Sequence, residues 1–191
     1  MLSRNRKTMN NAAVEELQDL SRKLGERVVR IIASSPLLMR DIRRLYARGV
    51  TIRRINGRDR AYSRAHTRRH PSGLICIGSQ ASPMDKVLFL AHEAYHILYG
   101  TTPNPNRRNI SRDCYVRMAL REEVRALVHE TKVAEELWAS GHKLAFKHMT
   151  YLVSYLRGGY REISILLEDE QSSVSGTSYR HYYQKIYDQA A

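Results

Sequence analysis

The sequence predicts an α+β fold, mainly helical, with a small antiparallel three-stranded sheet set before its central helix. Three observations predict it. Apolar residues recur every three or four positions over most of the chain. Between residues 50 and 78 that period gives way to short β-rich runs separated by turn residues. Cap and stop signals bracket the helical stretches. The 191 residues suit one domain and can bury a substantial core. At 42% apolar and 27% charged, the composition is that of a globular chain rather than a disordered one.

The elements follow in order. Residues 1–10 (MLSRNRKTMN) form a basic, polar stretch expected to be a mobile arm. The rest, 11–191, reads as a single domain. Its first part, 11–80, holds basic helices and the sheet; 82–138 holds two central helices; 142–191 is a C-terminal helical part. Val14, Leu17, Leu20, Leu24, Val28 and Ile31 fall at helical spacing and predict one amphipathic helix over 11–34. Ser35 can cap a second helix with Pro36 in its first turn and Gly49 at its end. Residues 50–55 (VTIRRI) are a strand. Asn56-Gly57 is a type I′ hairpin signal that would return the chain as a second strand from Arg58 to His66. Residues 73–78 (GLICIG) are a third.

Ser82-Pro83-Met84-Asp85 starts the central helix with a cap, a first-turn proline and a first-turn acid, and Gly100 stops it. Residues 101–110 are a loop, and 112–138 a long helix. A further helix over 142–157 ends at Gly158-Gly159. Residues Ile163 to Leu167 are a strand or a short helix, 171–178 a polar linker, and Tyr179 to Tyr187 a short Tyr-rich helix.

Charge is unevenly placed. The formal net charge is +13. Residues 1–70 hold 18 Lys and Arg against 6 Asp and Glu, and the remainder 14 against 13. The Arg-rich stretch 40–70 therefore suits an acidic partner. Cys76 and Cys114 make no disulfide framework and predict reduced thiols in a cytosol. No apolar run approaches the roughly 18 residues of a spanning helix, and no membrane span is expected. The basic N-terminus lacks the apolar core and cleavage site of a secretory signal.

The informative segment is His92-Glu93-Ala94-Tyr95-His96, an H-E-x-x-H pattern on the central helix. Positions i and i+4 sit one turn apart on one face, so both imidazoles can reach a single ion. Neutral imidazole nitrogens suit Zn²⁺. Glu93 follows the first ligand and can take a proton from water activated by the metal. Tyr95 is expected to point off that face.

A third ligand must come from a later element. A second pattern, with Gly at 99 and His at 102, is absent, because Tyr99 and Thr102 stand there. On the 112–138 helix, Val116, Leu120, Val124, Leu127 and Ala134 define an apolar side. Glu123 lies near its middle and Glu130 two turns on. A carboxylate in a buried stripe is costly unless paired or metal-bound, which makes Glu123 the expected third ligand. Its competing role is a buried ion pair with an arginine. Asp113 is the second choice of ligand. Glu130 is placed to hydrogen-bond a ligating histidine. Glu122 and His129 are expected to point away. His66 and His70, on an extended segment, do not converge.

His92, His96 and a glutamate on the next long helix resemble the gluzincin group of zincin metallopeptidases. The resemblance covers residues 73–138 and implies a zincin-like domain. It makes His92, His96 and Glu123 the Zn²⁺ ligands and Glu93 the general base of peptide hydrolysis. In that group an edge strand before the active helix pairs with an extended protein or peptide substrate, and residues 73–79 occupy that place. Compactness and the polar N-terminal arm also resemble the small effector peptidases that bacteria inject into host cells. That would place the chain in the cytoplasm, or in a host cell reached without a classical signal.

A zincin needs a group to hold the oxyanion. Tyr160, His181, Tyr182 and Tyr183 are the candidates, and packing is their alternative role. Two further readings compete with the enzyme. One is a basic module for nucleic acid or acidic protein, carried by Arg53, Arg54, Arg58, Arg60, Arg64, Arg68 and Arg69. The other is a zinc-bound but inactive scaffold.

Overall fold

Helices make up most of the chain, and a three-stranded sheet lies against them. The computed structural model describes residues 14–57, 61–64, 70–101, 105, 110–168 and 176–190. The expected arm at 1–10 lies outside these. The helices are α1 (14–24), α2 (Glu26–Ile32), α3 (Pro36–Ala47), α4 (Pro83–Tyr99), α5 (Arg112–Ala139), α6 (Phe146–Glu168) and α7 (Tyr179–Ala190). The strands are β1 (Thr51–Ile55), β2 (Ala61–Arg64) and β3 (Leu74–Gly78). The α+β class holds, with helix in clear excess.

The helix expected over 11–34 is two helices. Gly25, at φ +105° and ψ 149°, breaks it in a conformation that a side chain would resist. Leu20 and Leu24 before the break, and Val28 and Ile31 after it, still face one core. Ser35 caps α3 as expected, its Oγ accepting from the Leu38 amide at 3.1 Å. The same hydroxyl donates to Glu136 Oε2 at 2.5 Å, which ties the start of α3 to α5.

The sheet is mixed rather than antiparallel. Its order is β1-β3-β2, with β1 parallel and β2 antiparallel to β3. Asn56-Gly57 therefore closes no hairpin. The Gly57 carbonyl instead accepts from the Gln80 amide, extending the β1–β3 pairing, and the chain passes to the other edge. The physical reason lies in β3, which is buried at every position. An unbroken apolar strand belongs at the centre, where both of its backbone edges are paired. Residues 73–79 are thus not an edge. β2, shorter than expected, is an edge strand, and 58–60 and 65–66 lie outside the described residues.

α4 lies against the sheet, α2, α3 and α5. Ser82 Oγ accepts from the Asp85 amide at 3.1 Å, and Gly100 ends the helix. Its Val87, Leu88, Leu90, Ala91 and Ala94 join one core with the sheet and with Val133, Ala134 and Leu137 of α5. Truncating a core residue such as Leu88 to alanine would cost about 2–5 kcal/mol. A second core forms around Val124 and Leu127 of α5 and Tyr151, Ile163 and Leu167 of α6. Gly158 and Gly159 break α6 into two helical segments, the second of which holds Ile163 to Leu167 as helix rather than strand. Residues 171–175 of the expected linker are outside the described residues.

Candidate metal centre

α4 and α5 pack side by side and bring together the residues that spacing had singled out. His92 and His96 project from consecutive turns of α4, and Glu123 meets them from α5. His92 Nε2 lies 3.2 Å from His96 Nε2 and 3.2 Å from Glu123 Oε2. His96 Nε2 lies 3.6 Å from the same oxygen. A tetrahedral ion with Zn–N bonds of 2.0–2.1 Å has donor-to-donor edges of about 3.3–3.4 Å. An octahedral face at similar bond lengths has edges of about 3.0 Å. The three measured edges fit the tetrahedral case, and two imidazoles with one carboxylate suit Zn²⁺.

The outer nitrogens are also matched to carboxylates. Glu130 Oε2 sits 3.3 Å from His92 Nδ1, and Glu122 Oε1 sits 3.0 Å from His96 Nδ1. A carboxylate at Nδ1 holds the ring proton there and leaves the Nε2 lone pair for a ligand. Each partner is itself held. Glu122 Oε2 accepts from the Thr101 amide at 2.6 Å, just past the end of α4. Glu130 Oε1 lies 3.3 Å from His148 Nδ1, and His148 Nε2 lies 2.9 Å from Asp85 Oδ1. Asp85 accepts from Ser82, so this chain ends at the N-cap of α4 itself. The Tyr183 hydroxyl of α7 donates to Glu123 Oε1.

The electrostatics follow from this arrangement. Burial opposes charge on His96, but the Glu123 charge and the bonds to Glu122 and Glu123 outweigh it and raise its pKa to about 9. Burial likewise opposes charge on His92, and Glu123 and Glu130 push its pKa well above the usual value. Burial would raise the pKa of Glu123, yet the two histidines hold it well below the usual carboxylate range. Burial and the Glu123 charge push the Tyr183 phenol well up, so it stays a neutral donor. So much negative charge around two neutral-capable imidazoles favours a divalent cation.

Two expectations are corrected. Glu122 does not point away. It stands on the flank of α5 about 100° from Glu123, and the His96 ring turns its Nδ1 towards that flank. The adjacent acids Glu122-Glu123 thus serve the two sides of one histidine. Gly100 leaves room for this, since a Cβ there would sit 2.6 Å from Glu122 Oε1. His129 does not point to solvent either. It is buried, with Nε2 2.7 Å from Asp41 Oδ2.

Other candidates are separated. Asp113 is exposed in the first turn of α5, outside the cluster. Tyr95 lies against Tyr99 and His129 and meets the His96 ring edge-on, and it is not among the converging donors. His181 is exposed, and Tyr160 lines a different cavity. Tyr182 is close enough to the Glu123 and Glu93 charges for them, after burial, to raise its pKa. Glu93 is buried and lines a cleft with His92, Ala61 of β2 and Tyr179. His148 was not foreseen, although its spacing with Tyr151 and Leu152 on the buried face of α6 carries the signal.

The arginine-rich stretch is partly committed to structure. Arg44 donates to the Tyr99 hydroxyl, Arg48 to the Ile97 carbonyl and Arg53 to Cys76 Sγ. Arg58, Arg60, Arg68, Arg69 and His66 lie outside the described residues. No helix among the described residues is long and apolar enough to cross a membrane. No protein-family model matches this sequence, and no curated protein or solved structure is significantly similar to it.

Proposed function

We propose that the chain is a zinc-dependent peptidase of gluzincin type. One observation carries the reading: three donor atoms on two helices converge with tetrahedral spacing, while the opposite nitrogen of each histidine meets its own carboxylate. His92, His96 and Glu123 would hold the ion. Bound there, zinc supplies a Lewis acid for the scissile carbonyl and lowers the pKa of water to around 7. Glu93, in the cleft beside His92, accepts the proton of the attacking water and returns it to the departing amine. Glu122 and Glu130 fix the two rings. The Tyr183 hydroxyl is committed to Glu123 and so holds that carboxylate in place. β2 is an edge strand whose Ala61 lines the same cleft, and an extended peptide can add there as a strand.

Elemental analysis of the purified protein, followed by digestion of a mixed peptide library, tests the reading. Wild type and Glu93→Ala are expected to carry about one zinc per chain, and His96→Ala close to none. Cleavage is expected from wild type alone, at least about 100-fold above Glu93→Ala. A wild type that takes up no zinc after reloading, or that carries iron instead, overturns it.

A further inference from the structure

Two cavities lie end to end along one stripe of α5. The cleft at the metal centre takes Leu127 and Glu130 from that helix. One turn towards the N-terminus, Val124, the residue after Glu123, lines a second cavity with Leu120 and with Leu167 of α6. Tyr179 of α7 belongs to both linings and stands between them. The two cavities thus follow one another along α5 and share one wall residue.

Its chemistry is two-sided. Val124 and Leu167 are buried and make an aliphatic floor. Arg117, Arg121 and Arg180 line it as exposed residues. None of the three forms an ion pair among the described residues. Glu168 is the one acid in the lining among the described residues. Guanidinium forks bind carboxylates through two parallel hydrogen bonds. A buried aliphatic floor accepts aliphatic side chains.

We infer that this cavity is a substrate subsite for an acidic, apolar stretch of peptide, with carboxylates on the arginine rim and aliphatic side chains on the floor. Tyr179 directs the adjoining bond into the cleft. The inference rests on the peptidase reading, and it names the class of substrate. Cleavage sites are then flanked, on one side, by Asp or Glu alternating with Leu, Ile or Val.

Binding and cleavage are measured separately, so the two ideas fail separately. A fluorescein-labelled heptapeptide of alternating Glu and Leu is titrated into zinc-loaded Glu93→Ala protein and followed by anisotropy. Its Lys–Leu counterpart is the control. The acidic peptide is expected to bind at least tenfold more tightly. Adding Arg117→Glu and Arg121→Glu together is expected to remove at least tenfold of that affinity. Arg27→Glu with Arg157→Glu makes the same change in net charge at exposed positions outside both linings and is expected to change affinity less than twofold. Circular dichroism and the melting midpoint confirm that each variant folds. Equal losses in the two double variants would reduce the effect to net charge and overturn the subsite. So would stronger binding of a single-stranded oligothymidine at the same rim, which would assign it to nucleic acid. Acidic peptide bound at the rim but never cut would leave the subsite standing and remove the peptidase reading. Library cleavage without acidic preference would do the reverse.

Discussion

Two histidine–carboxylate clusters lie next to each other on α4 and α5, and only one brings its donor atoms to a common point. On one side of α4, His92 and His96 meet Glu122, Glu123 and Glu130. Beside it, His129 of α5 meets Asp41 of α3, and Asp41 also accepts from the Tyr99 hydroxyl of α4 at 2.6 Å. Arg44 donates to that hydroxyl in turn at 2.7 Å. Residue types are nearly the same. The difference is direction. In the second cluster the groups meet in pairs within the protein. In the first, three acceptor atoms point at one another, an arrangement that is unfavourable until a cation or protons sit among them. Convergence, not composition, separates the candidate metal site from a buried tie.

The largest expected effect follows directly. Glu123→Ala removes one converging atom, and zinc content after dialysis against a weak chelator is expected to fall from about one per chain to near zero. Asp41→Ala should do the opposite. It strands His129 and Tyr99 in the interior and is expected to cost about 3–5 kcal/mol. The melting midpoint then falls by roughly 10 °C, with zinc content unchanged in elemental analysis. If Asp41→Ala also loses zinc, the two clusters are one network and the contrast is lost.

Smaller effects sharpen it. Glu122→Gln keeps the shape but weakens the hold on His96, and competition with a chromophoric chelator should show zinc affinity about 10–100-fold lower. The folded stability should change by less than about 1 kcal/mol. The smallest effect concerns His148, which faces Asp85 and Glu130. Burial opposes its charge, but Glu130 and then Asp85 raise its pKa. A raised histidine stabilises the fold fully below the unfolded value of about 6.5 and loses that contribution as pH rises through the folded value. In chelator, His148→Gln should therefore cost about 1 kcal/mol near pH 5.5, and the gap in melting midpoint should narrow in alkali. A gap independent of pH would assign His148 to packing alone.

Much of the site was legible before any coordinates. The i, i+4 spacing of His92 and His96, the capped helix that carries them and the place of Glu123 on an apolar stripe are local facts, fixed by 3.6 residues per turn. The same arithmetic set Glu122 aside, because it measures angle about one axis and ignores the reach of a long side chain at the flank of a neighbour. His148 and Tyr183 come from elements 52 and 87 residues beyond His96, on α6 and α7. No periodicity within one helix can place them.

By itself the sequence determined most of the helices, their caps, the His92–His96 spacing and the place of Glu93 beside the first histidine, because each depends on backbone geometry within a few turns. Only the tertiary structure decided the rest. It put β3 at the centre of a mixed sheet and β2 at one edge, because a strand buried on both faces needs a partner on each side. It set one carboxylate against the Nδ1 of each of these two histidines and one phenol against Glu123, because such contacts depend on how separate helices pack.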